Sequence, residues 1–215
     1  MMGAAGKIFS YLLRWHRSRG FGVHSPFAFH FITGIRREEA QYYAYTDIDK
    51  ATVGRERSDR RDLKAIFRAV CHLQPAKVVF VGQPDNALRV AVERAVPQAD
   101  MQVMTPLGNA DGECPQPLAQ FQGEKGRRFA VVVESLSGFS ADDEKQILEL
   151  MADESRRKGA EGVLIIRHLH RSDSLKSFWS RLVSGMPAGM TFSNSCIGIY
   201  CLLRSLPRQH FDVIF

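Results

Sequence analysis

Apolar residues recur along the chain at two different periods, and the way the two alternate lays out the elements. Leu63, Ile66, Phe67, Val70 and Cys71 follow the i, i+3, i+4, i+7, i+8 spacing of a helix with one buried face. Leu88, Ala91, Val92, Ala95 and Val96 repeat that spacing, as do Leu175, Phe178, Trp179, Leu182 and Val183. Between these helices stand short β-branched runs at 78–81, 101–105, 130–133 and 163–166. They are too short for helices and apolar on both faces, which is how central strands covered on both sides read. Strand alternating with helix predicts an α/β fold, a mainly parallel sheet with helices on both faces. A further helix over 141–157 is well punctuated: Ser140 caps it, Asp142, Asp143 and Glu144 fill its first turn, and Arg156, Arg157 and Lys158 precede Gly159. Beyond it, strand candidates at 191–193, 197–203 and 211–215 follow one another with no helix between them, which predicts an antiparallel C-terminal edge.

The first 55 residues read differently. Residues 7–19 form a basic amphipathic helix candidate, with Ile8, Leu12 and Trp15 on one face and Lys7, Arg14 and Arg17 opposite. Ser25 then stands as N-cap and Pro26 as the first residue of a helix to about Arg36. That helix carries Phe27, Phe29, Phe31, Ile32 and Ile35, apolar nearly all round, and is expected between two surfaces, its own domain and a dimer partner. The chain thus divides into an N-terminal helical arm, 1–55, and an α/β domain, 56–215.

Composition narrows the class. A chain of 215 residues, 45% hydrophobic and 24% charged, has enough apolar side chain to fold as a globular protein and is not globally disordered. No apolar run approaches the roughly 20 residues of a membrane span. Lys7 and the short apolar cluster after it do not read as a signal peptide, so a cytoplasmic protein is expected. The four cysteines form no CxxC pair and are expected as reduced thiols, without a metal site. The net charge of +6 lies wholly in residues 1–37, which hold six basic residues and no acid, while the other 178 carry 23 of each sign. With a neutral main body, nucleic acid and membrane surface are not the favoured partners; a homo-oligomer joined through the N-terminal helices is.

In an open α/β sheet ligands bind beyond the carboxyl ends of the strands. Gly82 ends a strand and Asp85 or Asn86 caps the next helix, the geometry of a nucleotide-binding turn. Gly82, Gln83, Asp85 and Glu134 are therefore the cofactor-binding candidates. If the 163–166 strand continues, His168 and His170 face one way with Glu134 beside them, which makes Glu134, His168 and His170 the catalytic candidates, as a general base. No GxSxG, P-loop or HExxH pattern occurs.

Three stretches resemble the class I S-adenosylmethionine-dependent methyltransferases, in particular a bacterial subgroup resembling O-methyltransferases. They are Gly22-Val23-His24-Ser25-Pro26-Phe27-Ala28-Phe29 followed by Tyr42-Tyr43-Ala44-Tyr45, then Val78-Val79-Phe80-Val81-Gly82, and the tail from Gly198-Ile199-Tyr200 to Phe211-Asp212-Val213-Ile214-Phe215. The resemblance implies a methyltransferase-like, Rossmann-like sheet and S-adenosylmethionine as cofactor. The chain departs from the family where that cofactor is held. Phe80 stands where the family has an acid two before the glycine, and Gln83-Pro84-Asp85-Asn86 replaces further glycines. Pro106, Leu107 and Gly108 stand where a carboxylate takes the ribose hydroxyls, and 106–128 is short for the helix, strand and helix that the family places there. The expectation is a divergent homologue with a degenerate cofactor site, non-catalytic and acting through dimerisation or partner binding. The alternative is an active methyltransferase of unknown acceptor.

Overall fold

The structure, a computed structural model, describes residues 15, 22–37, 42–106, 128–156, 161–203 and 206–214. The helix expected over 7–19, apart from Trp15, and Leu107, Gly108 and Cys114 lie outside the described residues. Three helices come first, α1 (Pro26–Arg37), α2 (Tyr43–Ala51) and α3 (Arg57–Leu73). Then follow β1 (Lys77–Val81), α4 (Asn86–Ala95), β2 (Asp100–Met104), β3 (Phe129–Val133), α5 (Ala141–Arg156), β4 (Glu161–Ile166) and α6 (Asp173–Gly185). The chain closes with β5 (Met190–Ser193), β6 (Gly198–Leu203) and β7 (Gln209–Asp212).

The seven strands form one sheet in the order β2-β1-β3-β4-β6-β5-β7. β2, β1, β3 and β4 pair in parallel, β6 runs antiparallel to β4 and β5, and β7 pairs in parallel with β5. The fold is therefore α/β with a mainly parallel sheet, and the antiparallel pairing falls at its C-terminal side as the pattern predicts. The antiparallel strand β6 is inserted between β4 and β5, and β7 stands outermost.

Alternate residues of each central strand enter opposite layers, the period-2 consequence of the pleat. Val78, Phe80, Val132 and Ile165 join Leu63, Ile66, Leu88 and Val92 of α3 and α4 on one face. Val79, Val81, Val131, Val133, Leu164 and Ile166 join Ile147, Met151, Phe178 and Leu182 of α5 and α6 on the other. Runs apolar at every position are what a sheet covered on both faces requires.

α1 and α2 share the first of these layers. Ala28, Phe31 and Ile32 are fully buried, and the Phe31 ring lies 4.7 Å from that of Phe192 on β5. α1 begins as expected, with the Ala28 N–H donating to Ser25 Oγ at 3.3 Å and Pro26 in the first turn. Its outward face is open, with Phe29 39% exposed and His24 and His30 exposed. α2 is not foreshadowed by a periodic apolar face: of its nine residues only Ile48 is buried, and Tyr43 is exposed. Among the described residues no helix is long and apolar enough to cross a membrane.

Candidate functional site

The carboxyl ends of β1, β3 and β4 meet the first turn of α3 and the first turn of α4, and the side chains gathered there are ionic. β4 stops at Ile166, but the Arg167 N–H still donates to the Val133 carbonyl at 3.0 Å, so Arg167 sits one step past the last strand residue and points into the protein. Its side chain is 1% exposed. A guanidinium keeps its charge in a protein interior, so it must be met by carboxylates. Three meet it. Arg167 Nη2 donates to Asp59 Oδ1 at 2.5 Å, and Nη1 donates to Asp85 Oδ2 at 2.7 Å and to Glu134 Oε1 at 3.1 Å. Arg55, in the loop before α3, donates through Nη1 to Asp85 Oδ2 at 2.7 Å and to Asp59 Oδ2 at 3.2 Å.

Each carboxylate is placed by a local device. Asp85 is the N-cap of α4, its Oδ1 accepting the Leu88 N–H at 2.7 Å, and its other oxygen is left for the guanidiniums. Asp59 lies in the first turn of α3, where the helix dipole favours a negative charge. Glu134 follows β3, its N–H bonded to the Val81 carbonyl at 3.0 Å. Burial pushes the Asp85 carboxyl upward, yet Arg55, the Leu88 N–H and Arg167 outweigh it and hold Asp85 well below the usual carboxylate range. Asp59 is lowered in the same way, with burial opposed by Arg167 and Arg55. Arg167 itself is raised, because Glu134, Asp85 and Asp59 more than offset its burial.

The candidates from the sequence fall unevenly around this cluster. Glu134 and Asp85 are in it. His168 borders it, Nε2 lying 3.5 Å from Glu134 Oε1. His170 is exposed and stands apart: the strand does not continue, His168 takes a left-handed φ of +62°, and the Arg171 N–H closes a turn onto the His168 carbonyl at 2.9 Å. The two imidazoles therefore do not share a strand face. Gln83 is exposed and Gly82 is buried. Pattern reading missed Arg55 and Asp59 and assigned Arg167 no role. An arginine directly after an all-apolar strand is the signal that buried acids must lie opposite it. Among the described residues no group of three or more His, Cys, Asp or Glu is placed to hold a metal ion.

The strand ends are packed by the chain's own residues. Gly82 has a φ of +78°, and a Cβ on it would lie 2.7 Å from the Ser135 carbonyl oxygen. The close approach that a glycine permits is thus taken by the chain's own loop after β3. Pro106 likewise packs against Gly138, where an added Cβ would lie 3.1 Å from its Cγ. Phe80, where the resemblance calls for an acid, is 1% exposed in the core layer of α3 and α4. Asp59, Asp85 and Glu134 are all engaged by Arg167, so a ligand that used any of these carboxylates would have to break a buried ion pair. Breaking a buried ion pair costs about 3–5 kcal/mol, a hundredfold or more in affinity. A groove of about 830 Å³ does lie nearby, between α2, α4 and β2, but Asp47, Asn86, Arg94 and Met101 line it, not Glu134, Arg167 or His168.

No family model matches the chain, and no curated protein matches it. Among solved structures it is similar to the mitomycin 7-O-methyltransferase MmcR, at 13% identity and a TM-score of 0.34, over 91% of this chain and 83% of that one. It is also similar to a putative methyltransferase from Thermobifida fusca YX, at 11% identity and a TM-score of 0.28, over 71% of this chain and 76% of that one. At such identities and scores neither likeness bears on what this chain does; the sheet order and the ionic cluster stand on the chain's own geometry.

Proposed function

We propose that this protein is a non-catalytic member of the methyltransferase-like α/β class, in which the place of the cofactor is filled by the Arg167 cluster and the fold serves as a scaffold for association. The observation that carries the reading is the Arg167 side chain, 1% exposed and bonded to Asp59, Asp85 and Glu134 at the strand ends. A group transfer needs a substrate in contact with its catalytic groups. Here the acids of the site are committed to holding α3, α4, β3 and β4 together. Glu134 and His168 remain the pair from which an altered methyltransferase would draw a base.

Isothermal titration calorimetry with S-adenosylmethionine and S-adenosylhomocysteine separates the two readings. No saturable heat at millimolar ligand is expected. A micromolar dissociation constant would overturn the scaffold reading and direct attention to methyl acceptors.

A further inference from the structure

At the opposite end of the sheet from Arg167, where α6 ends and β5 begins, there is a cavity of about 250 Å³. Its lining is divided. Val183 and Met186 from the end of α6 and Tyr200 from β6 supply an apolar wall, and the Tyr200 hydroxyl is already spent on the Ala188 carbonyl at 2.7 Å. Thr191 of β5, Arg208 just before β7 and His210 of β7 supply a polar wall, with Thr191 Oγ1 and His210 Nδ1 2.8 Å apart. Arg208 is held in place rather than free to swing: its Nη2 donates to the last carbonyls of α6, Val183 at 3.1 Å and Ser184 at 2.7 Å. Those two bonds use one of its three guanidinium nitrogens, and none of the described residues that line the cavity is acidic.

We propose that this cavity is a binding site for a small carboxylate with a compact apolar body, of the size of a benzoate. The apolar wall takes the body by burial, and the N–H groups of the anchored Arg208 that are not bonded to α6 take the carboxylate, while Thr191 and His210 stay bonded to each other and His210 Nε2 lies 3.6 Å from Asp212 Oδ1. A guanidinium fixed by backbone carbonyls loses little freedom on binding, which is the condition under which one charged contact yields specificity. The cation on its wall favours an anionic ligand over a basic one. The site is independent of the Arg167 cluster, so its fate does not depend on whether the protein binds S-adenosylmethionine.

The test uses the full chain, with sodium benzoate and benzamide as probes, followed by ¹⁵N-¹H correlation spectra. Benzoate is expected to give saturable shifts centred on Thr191, Met186 and His210, and the isosteric, uncharged benzamide to bind about tenfold or more weakly, the loss of one charge-assisted hydrogen bond. Arg208→Gln is expected to bring benzoate down to the benzamide level. Should that variant lose its fold with the α6 contact, Val183→Phe, which fills the apolar wall, must abolish the shifts instead. Equal binding of the two probes, shifts centred elsewhere, or no saturation with benzoate would each overturn the proposal.

Discussion

Arg167 concentrates the energetics of the strand ends in one side chain. Its worth is best seen by removing it: Arg167→Met fills much of the same volume but leaves Asp59, Asp85 and Glu134 facing one another without their shared cation. Such a loss costs about 3–5 kcal/mol, read as a lowered midpoint of urea unfolding at pH 7. The pH dependence has a definite sign. Asp59 and Asp85 are held below their ordinary range, so their contribution is complete above it and is lost as pH falls through the lowered values. The gap between wild type and Arg167→Met must therefore narrow below about pH 4, where ordinary carboxylates protonate; a gap that stays constant down to pH 3 would show that Arg167 acts by packing alone. Asp62 presents the opposite case. It is 6% exposed, its Oδ1 has no partner, and burial raises its carboxyl above the usual range. An acid of that kind costs stability while ionised and ceases to do so as pH falls through its raised value. Asp62→Asn removes the charge and keeps the shape, so a gain of about 1 kcal/mol, or about 2–4 °C in Tm, is expected at pH 7 and should vanish near pH 4. A variant no more stable than wild type at pH 7 would mean that the ionised carboxylate is better satisfied than its burial implies.

At the level of elements, what the sequence revealed is what has a local cause. α3, α4 and α6 each bury one face, so their spacing is visible, and the central strands are apolar throughout because both faces are covered. Ser25, Asp85 and Ser140 each sit where a short polar side chain satisfies the first N–H groups of a helix, and Ser172, which the pattern did not single out, does the same for α6. α2 was invisible because nine residues with one buried side chain leave no period to read. The ionic cluster was invisible for a different reason: Arg167 and Asp59 are 108 positions apart, and nothing local to either names the other. Asp59 alone reads as a helix-dipole partner and Asp85 alone as a cap, and both do those things as well. His168 and His170 were misaligned because the end of β4 carries no glycine or proline to mark it; the turn is made at His168 with a positive φ, which the residue type does not announce. Local rules thus recover the elements and the caps, while a site made of charges brought from α3, α4, β3 and β4 needs the tertiary structure.

The charge distribution of the whole molecule bears on how the scaffold would associate. All of the net +6 lies in residues 1–37, and α1, which belongs to that stretch, fixes Phe31 and Ile32 in the core while its other face leaves Phe29 39% exposed. If two copies meet through this face, two cationic segments approach each other, and apolar contact has to overcome their repulsion. Screening weakens repulsion between exposed charges, with a Debye length of about 10 Å at 0.1 M salt and about 3 Å at 1 M. Self-association through α1 is therefore expected to strengthen with salt. Binding of a polyanion would behave the other way, since phosphate contacts weaken steeply as salt rises. Sedimentation equilibrium across that salt range distinguishes them, with Phe29→Glu as the variant, because position 29 faces away from the core and its substitution leaves the packing of Phe31 and Ile32 intact. A dimer that tightens with salt in the wild type and is absent in Phe29→Glu is the expected result. A monomer at every salt concentration would remove homodimerisation from the scaffold reading, and a dimer untouched by Phe29→Glu would move the contact off α1.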